Sequence, residues 1–572
     1  MKAFDVAAQT VLAALRTGQA GQPVAARVTA QLDADHGRIE ILITRMLSAA
    51  ATWFESRPER LTSFGGVETG HVSTLTLFEG GQSALISVGC CATNQPLLEL
   101  IVWGNRGILS WEHDHGFLTD KDQHEAVLSD KEKQLYDYVH ASTESGQPIR
   151  ISASGSVEPH RTIPGQTRSG GRPSRTVSSS PEPVAQKPPY GVLLVAGDHT
   201  HQPQYAEGLA ADKRCRLIGL TDEEEITPRR RRLNEQLALR LGIPVLPSLH
   251  QALHRDDVHI VSICAEPIRR GRIIVEAARA GKHLYLDKPL AANLADADAI
   301  RNAVSEAGVV SHMWSFVHSD TVDRMQREIQ PARLGELTAF HADLCFAKGP
   351  VGTAVLDKRR RELSVPERYE LVDSKRELSN VGVYPLVSLL CVQDKSVRRV
   401  CATTGNYFFQ EHQTNNMEDF GQMLLELEDG SVASISAGRT GWRSLPAGGL
   451  NRTCLIGTTQ TAILDAHRPR ISVWADVVPW MAPERDPEDP MGMWGGAPKA
   501  DQFIPKPRQT WITPPAAESA SDVAWFLDCI ESGRRSNVSA DVAATATEIL
   551  LAAYQSAATG DVVDLPLSRD SG

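Results

Sequence analysis

One stretch, Val258 to Leu290, leaves little freedom in how the chain around it folds. Val258-His259-Ile260-Val261-Ser262-Ile263-Cys264 is short, apolar and rich in β-branched residues. Gly271 to Ala280 carries apolar residues at helical spacing, and His283 to Leu286 forms a second short strand that stops at Asp287-Lys288-Pro289. Strand, helix and strand joined by tight turns make a parallel βαβ unit. A lysine at the carboxyl end of such a strand faces the crevice where doubly wound sheets bind ligands. Pro289, with no N–H and a single φ, ends the strand and fixes how Lys288 is presented.

The run Ala280 to Ala291, AGKHLYLDKPLA, resembles the signature A-G-K-H-V-x-x-E-K-P-L-A of the glucose–fructose oxidoreductase/inositol dehydrogenase (Gfo/Idh/MocA) family, with Asp287 where Glu is usual. The resemblance extends over roughly residues 190–570. It implies an α/β Rossmann dinucleotide-binding domain at 190–317 and an α+β open-sheet domain at 318–572 for substrate and oligomerisation. It also implies that Asp287 and Lys288 border the cofactor, the lysine bridging nicotinamide ribose and substrate oxygen. Cys264-Ala265-Glu266-Pro267 resembles the family's x-x-T-P turn, whose backbone lies beside the nicotinamide end. The histidine often found a few residues later falls here among Arg269-Arg270. Leu378 to Leu386 resembles the L-x-D-x-G-x-H helix start whose Asp and His face the substrate, with Asn380 for Asp and Tyr384 for His. Tyrosine at that place resembles the glucose–fructose oxidoreductase and dihydrodiol dehydrogenase branches.

The cofactor loop itself is degenerate. Gly191 to Ala196 is a buried strand followed by the turn Gly197-Asp198-His199-Thr200-His201, and of G-x-G-x-x-G only Gly197 remains. The helix that follows still offers N–H groups to a phosphate. The next strand ends at Asp222, an acid suited to both adenosine ribose hydroxyls and repelling a 2′-phosphate, which selects NAD over NADP. Arg229-Arg230-Arg231-Arg232 is read as a solvated helix face. His250 and His254 stand one helical turn apart with no third ligand evident, so no metal site is expected.

Residues 1–154 carry landmarks of the 318–572 domain in the same order. Ala26 to Leu32 parallels Leu337 to Leu344, and Leu75 to Ala84 parallels Leu425 to Ala433. Leu98 to Leu109 parallels Arg452 to Leu464, and Glu144-Ser145-Gly146 parallels Glu531-Ser532-Gly533. An internal repeat follows, its first copy degenerate, without a dinucleotide half and with only Asp33 to Gly37 where the second spends Cys345 to Ser379. The stretch 155–189, dense in Gly, Ser, Pro and Arg, is expected to be a disordered linker. Residues 466–515, with Trp474, Trp480, Trp494 and Trp511 among prolines, are expected to be an insertion, either an arm over a neighbouring surface or a surface loop.

A net charge of -11 argues against nucleic acid as the main partner. No stretch reaches the roughly 18 apolar residues that span a bilayer. The amino terminus lacks a secretory apolar core and resembles an amphipathic helix. Nine cysteines without a C-x-x-C pair are expected as reduced thiols. A cytoplasmic, soluble oxidoreductase is therefore expected, a homo-oligomer or an intrachain pseudo-dimer through its sheet faces. NAD would carry hydride to or from a carbinol/carbonyl carbon of a sugar, polyol or related molecule. Tyr384 would exchange a proton with the substrate oxygen, Lys288 would lower its pKa, Asn380 would bind substrate, and His341 is the next proton-transfer candidate. The competing expectation is a catalytically silent nucleotide-binding sensor or scaffold.

Overall fold

The computed structural model describes residues 2–32, 38–90, 97–113, 128–151, 188–196, 201–315, 334–347, 352–358, 376–440, 449–465, 470–475, 509–512 and 522–569. Gly197, Asp198, His199 and Thr200 fall outside these residues, as do 155–187 of the linker stretch and much of 466–515.

The first part opens with α1 (Lys2–Arg16) and builds a mixed sheet from β1 (Pro23–Leu32), β2 (Pro58–Gly66), β3 (His71–Phe78), β4 (Ser83–Cys90), β5 (Leu97–Gly104), β6 (Gly107–His113) and β7 (Ile149–Arg150). Helices α2 (Ile39–Phe54) and α3 (Asp130–Ser145) belong to the same part. The strand order is β6-β5-β1-β4-β3-β2-β7, with β1 parallel to β4 and antiparallel to β5. One face is covered by α1 and α2, whose Phe4, Ile43, Met46 and Leu47 pack with Val28, Ile86 and Val102 of the strands.

The middle part alternates strand and helix: β8 (Tyr190–Val195), α4 (Gln202–Ala211), β9 (Cys215–Thr221), α5 (Pro228–Leu241), α6 (Leu249–Leu253), β10 (Ile260–Ile263), α7 (Pro267–Arg279), β11 (His283–Leu286), α8 (Leu294–Ala307) and β12 (Ser311–Met313). All pairings are parallel, in the order β12-β11-β10-β8-β9. Strands β8, β10 and β11 are buried along their whole length, as expected of a sheet covered on both faces. Because β8 pairs with both β9 and β10, the connections leave it in opposite directions, and a crevice opens at the carboxyl ends of these strands. Gly271 lets α7 approach α8, since a Cβ there would lie 2.6 Å from Asp296 Cγ. Gly281, at φ +72°, turns the chain from α7 into β11.

The last part holds β13 (Leu337–Phe346), α9 (Glu377–Val392), β14 (Val397–Gly405), α10 (Gln410–Thr414), β15 (Phe420–Leu427), β16 (Val432–Arg439), β17 (Gly449–Gly457), β18 (Gln460–Asp465), β19 (Arg470–Ala475), β20 (Gln509–Ile512), α11 (Asp522–Ser532), α12 (Ala540–Thr559) and β21 (Val563–Asp564). Its sheet runs β20-β19-β18-β17-β13-β16-β15-β14-β21. The stretch 466–515 thus contributes β19 and β20 to the sheet edge. Helices α9 and α12 cover one face, through residues such as Val381, Leu386, Ile549 and Leu550 against Ala342, Met423 and Ile435. The opposite face meets the first part's sheet, where Phe64, Leu75 and Leu85 pack with Leu424, Val432 and Ile456.

The structure corrects one expected parallel. Glu531-Ser532-Gly533 ends α11, which does not occupy the place that α3 has in the first part. Its Val523, Phe526 and Leu527 pack into the middle part against Tyr190, Val192 and Leu194. The element that sits as α3 does is α12. Ser142 Oγ of α3 accepts from Ser63 N (2.9 Å) and donates to Gln147 O (2.7 Å), while Ser556 Oγ of α12 accepts from Ala402 N (3.0 Å) and donates to Asp561 O (2.6 Å).

Candidate active site

The end of β11 places Asp287 and Lys288 at the crevice and against α9. Asp287 is wholly buried, and its carboxylate accepts from Tyr205 OH (2.8 Å) and Arg270 Nη2 (3.0 Å), with His201 Nδ1 at 2.9 Å. A buried carboxylate is tolerable only with such partners. Arg270 is itself wholly buried on the inner face of α7 and also donates to the carbonyls of Ala265 (2.9 Å), Asp287 (2.9 Å) and Pro289. It therefore ties the ends of β10 and β11 together. In sequence, Arg269-Arg270 reads only as the place of a missing histidine.

Lys288 turns the other way. Its Nζ donates to the backbone O of Asn380 (2.9 Å) and to Asn380 Oδ1, and lies 5.2 Å from the centroid of the Tyr384 ring. Burial pushes its amine down to about 8, against the opposing pull of the Asp287 and Glu377 charges. Tyr384 moves in the other direction. Burial, reinforced by the negative charges of Asp287 and Glu377, lifts its hydroxyl well above 10. Sequence reading has Lys288 lowering the Tyr384 pKa; in the fold the ammonium sits over the ring face, and burial dominates the hydroxyl's shift.

Asn380 is held by more than Lys288. Its Nδ2 donates to Glu377 Oε2 (3.1 Å), and Glu377 Oε1 pairs with Arg439 Nε at 2.9 Å. Glu377 is buried, which would raise its pKa, yet the hydrogen bond from His412 and the charge of Arg439 hold it below the usual carboxylate value. Around Lys288, Trp314 packs 5.7 Å from both Tyr384 and Tyr205 and 5.8 Å from His201, ring centre to ring centre. Glu377, Arg439 and Trp314 escaped the sequence reading because nothing local marks them; they converge from α9, β16 and the end of β12.

The cofactor-side residues divide. Asp222 ends β9 as expected, but its carboxylate already accepts from Arg230 Nε (2.5 Å), Asn234 Nδ2 (2.8 Å), Arg269 Nη2 (3.1 Å) and Glu223 N (2.8 Å). Glu266, at the N-terminus of α7, pairs with Arg230 and with Arg269 Nε at 2.8 Å. Although burial alone would raise the Glu266 carboxyl, the Arg230 hydrogen bond and both arginine charges bring it down to about 2. Within the arginine run, Arg229, Arg231 and Arg232 are exposed as expected, whereas Arg230 is buried in this ion network. Cys264, Ala265 and Pro267 are buried at the end of β10 and the start of α7. In kind, these groups fit a dinucleotide: a carboxylate for hydroxyls at the end of β9, and a cation at the end of β11.

His341 does not join the site. Side chains alternate along a strand. On β13 Phe340, Ala342 and Leu344 face the helices, so His341 faces the first part's sheet. There its Nδ1 lies 2.7 Å from Ser434 Oγ and its ring 5.2 Å from that of His71. The rings of His250 and His254 lie 4.3 Å apart and tilted to each other on the outer surface, with His250 Nδ1 3.2 Å from Glu276 Oε1.

Residues 196–314 match the GFO_IDH_MocA family model, described as an oxidoreductase family with an NAD-binding Rossmann fold. This match spans the Asp287-Lys288-Pro289 motif, so the middle part of the chain is similar to the NAD-binding Rossmann fold of that family. A dTDP-3,4-didehydro-2,6-dideoxy-alpha-D-glucose 3-reductase from Actinomadura kijaniata is 24% identical over 168 residues, 29% of this chain and 47% of that protein. A levoglucosan dehydrogenase from Pseudarthrobacter phenanthrenivorans is 31% identical over 86 residues, 15% of this chain and 22% of its own length. The chain therefore spans about half, or less, of the curated relatives it matches. The solved structure of a levoglucosan dehydrogenase in complex with NADH and levoglucosan covers 66% of this chain and 100% of its own, with TM-score 0.50 and 17% identity. That likeness shows the shared fold. Among the described residues no helix is long and apolar enough to cross a membrane.

Proposed function

We propose that this chain is an NAD-dependent oxidoreductase acting on a carbinol or carbonyl carbon of a sugar, polyol or related compound. The observation that carries the proposal is the amine of Lys288: buried at the end of β11, lowered to about 8, and held against Asn380 and Tyr384. The sugar reductase and dehydrogenase among its relatives support the substrate class. NAD, when bound, supplies the hydride acceptor and donor. Residues 190–317 would bind it and 318–572 the substrate, with 1–154 joined through 155–189. Gly197, Asp198, His199 and Thr200 would approach the phosphates, and Asp222 would receive the ribose hydroxyls once its arginine partners are displaced or shared.

In this reading Lys288 exchanges the proton of the substrate oxygen, since a group titrating near the working pH serves best. The Tyr384 hydroxyl, protonated throughout, donates a hydrogen bond to that oxygen as negative charge develops there. Asn380, with no proton to give up, orients substrate and lysine together. The test is turnover of a sugar and polyol panel with NAD and with NADP, comparing wild type with Lys288→Met. Substrate-dependent reduction of NAD that vanishes in the variant, with NAD binding retained, supports the reading. A second reading, a silent sensor or scaffold, is favoured by the ion network that engages Asp222. NAD binding without turnover on any member of the panel would decide for it.

A further inference from the structure

The first and last sheets correspond strand by strand. Both have the central order outer hairpin, centre, parallel neighbour, then antiparallel strands: β6-β5-β1-β4-β3-β2-β7 against β18-β17-β13-β16-β15-β14-β21. The irregularities correspond too. The β1–β5 ladder shifts register between Pro23 and Ala25, and the β13–β17 ladder between Leu337 and Ala339. The β2–β3 ladder shifts between Pro58 and Arg60, and the β14–β15 ladder between Val397 and Arg399. Each central strand follows a left-handed glycine, Gly21 at φ +74° and Gly335 at φ +69°.

The contacts between the two sheets are reciprocal. Arg399, the counterpart of Arg60, donates to Gly146 O at the end of α3 (3.1 Å), and a Cβ on Gly146 would lie 2.3 Å from Arg399 Nη2. Conversely, a Cβ on Gly560, at the end of α12, would lie 1.8 Å from Arg60 Nη1. Each sheet thus sends the same arginine to the carboxyl end of the other part's helix, where a cation is favoured. Two bodies that exchange equivalent contacts are related by an approximate two-fold axis.

Register locates a pair at that axis. Glu99 lies opposite Thr29 and Arg452 opposite Asp343, each five residues before the glycine (Gly104, Gly457) that pairs with the first residue of β1 or β13. Glu99 and Arg452 are therefore counterparts, and they form a buried ion pair with each other. Contact between counterparts occurs only beside the axis. Were two copies of the last sheet to pair this way, Arg452 would meet Arg452; two copies of the first sheet would set Glu99 against Glu99. Buried like charges are strongly disfavoured, whereas the mixed pair is neutral.

We propose that residues 2–151 are a built-in partner for the sheet of residues 334–569, taking the place of a second copy of that sheet. The Glu99–Arg452 pair is the residue-level choice that makes the mixed pairing the stable one. The apolar and polar contacts around it are then complementarity, including Tyr407 OH donating to Gly81 O at 2.7 Å and Trp103 packing 5.4 Å from Phe420.

A charge exchange in the full-length chain tests this. Glu99→Arg alone and Arg452→Glu alone each set like charges together at the axis and should lower the melting temperature by at least about 4 °C. The double variant Glu99→Arg/Arg452→Glu restores the pair in reverse and should melt closer to wild type than either single variant. If neither single variant folds, a double variant that folds and melts near wild type supports the proposal equally. Losses that simply add in the double variant, or a double variant as damaged as the worse single one, would overturn the proposal.

Discussion

Replacing Lys288 by methionine changes the pH dependence of stability by an amount the structure allows to be worked out. The amine falls from 10.5 to about 8 in the folded chain, chiefly through burial. Between these values the unfolded chain holds a proton that the folded chain lacks. Wild-type stability therefore rises with pH through this window, and the full cost of burying the ammonium is felt below about 8. At roughly 1.4 kcal/mol per pKa unit the cost is about 3 kcal/mol, of which roughly 2 kcal/mol is relieved between about pH 7 and pH 9.5. Methionine has nothing to titrate. Denaturant unfolding of both proteins across this range should show the variant's advantage, whatever its size at neutral pH, shrinking by roughly 2 kcal/mol at the alkaline end. Parallel stability curves would mean that Lys288 keeps an ordinary amine, and the proton-exchange role assigned to it would lose its basis.

Other consequences are as direct. Arg270→Met leaves the Asp287 carboxylate buried without its charged partner and should cost about 3–5 kcal/mol in denaturant unfolding; a loss under about 1 kcal/mol would show that Tyr205 and His201 suffice. Wild-type protein should bind NAD tighter than NADP by calorimetry, with Asp222→Ala narrowing the gap; equal or reversed affinities would count against Asp222. His71 is neutral in the fold, lowered to about 3 by burial and the Arg27 charge, so its contribution holds above 6.5 and is lost as pH falls from 6.5 towards about 3. His71→Asn should flatten that acid limb in unfolding experiments, and an unchanged limb would refute the assignment. Tyr384→Phe should lower turnover by about 10²-fold with NAD affinity retained; wild-type turnover would remove the hydroxyl from the reaction.

Much of the middle part could be read in advance because its signals are local. Apolar strands, the glycine at the α7–β11 turn and the acid–lysine–proline stop need no distant partner to be recognised. What escaped depends on convergence. Asp287 owes its burial to Tyr205 and Arg270, 82 and 17 residues away along the chain. The face that His341 takes is decided only by the parity of β13 relative to α9, which no local sequence signal carries. The tripeptide Glu-Ser-Gly occurs at the ends of both α3 and α11, yet α11 joins the dinucleotide half, and Gly560 of α12 is the residue that matches Gly146. Arg230 reads in sequence like its exposed neighbours, and only the fold encloses it between Asp222 and Glu266.

The most direct test of the central assignment is isotope transfer. A sugar or polyol substrate from the turnover panel, deuterated at its carbinol carbon, is incubated with the full-length protein and NAD, and the nicotinamide product is analysed by mass spectrometry. The account predicts deuterium on the reduced nicotinamide with wild type and its near absence with Lys288→Met, while both proteins still bind NAD. Equal transfer by the variant would contradict the role given to Lys288, and tight NAD binding with no transfer by wild type on any substrate would contradict the oxidoreductase itself.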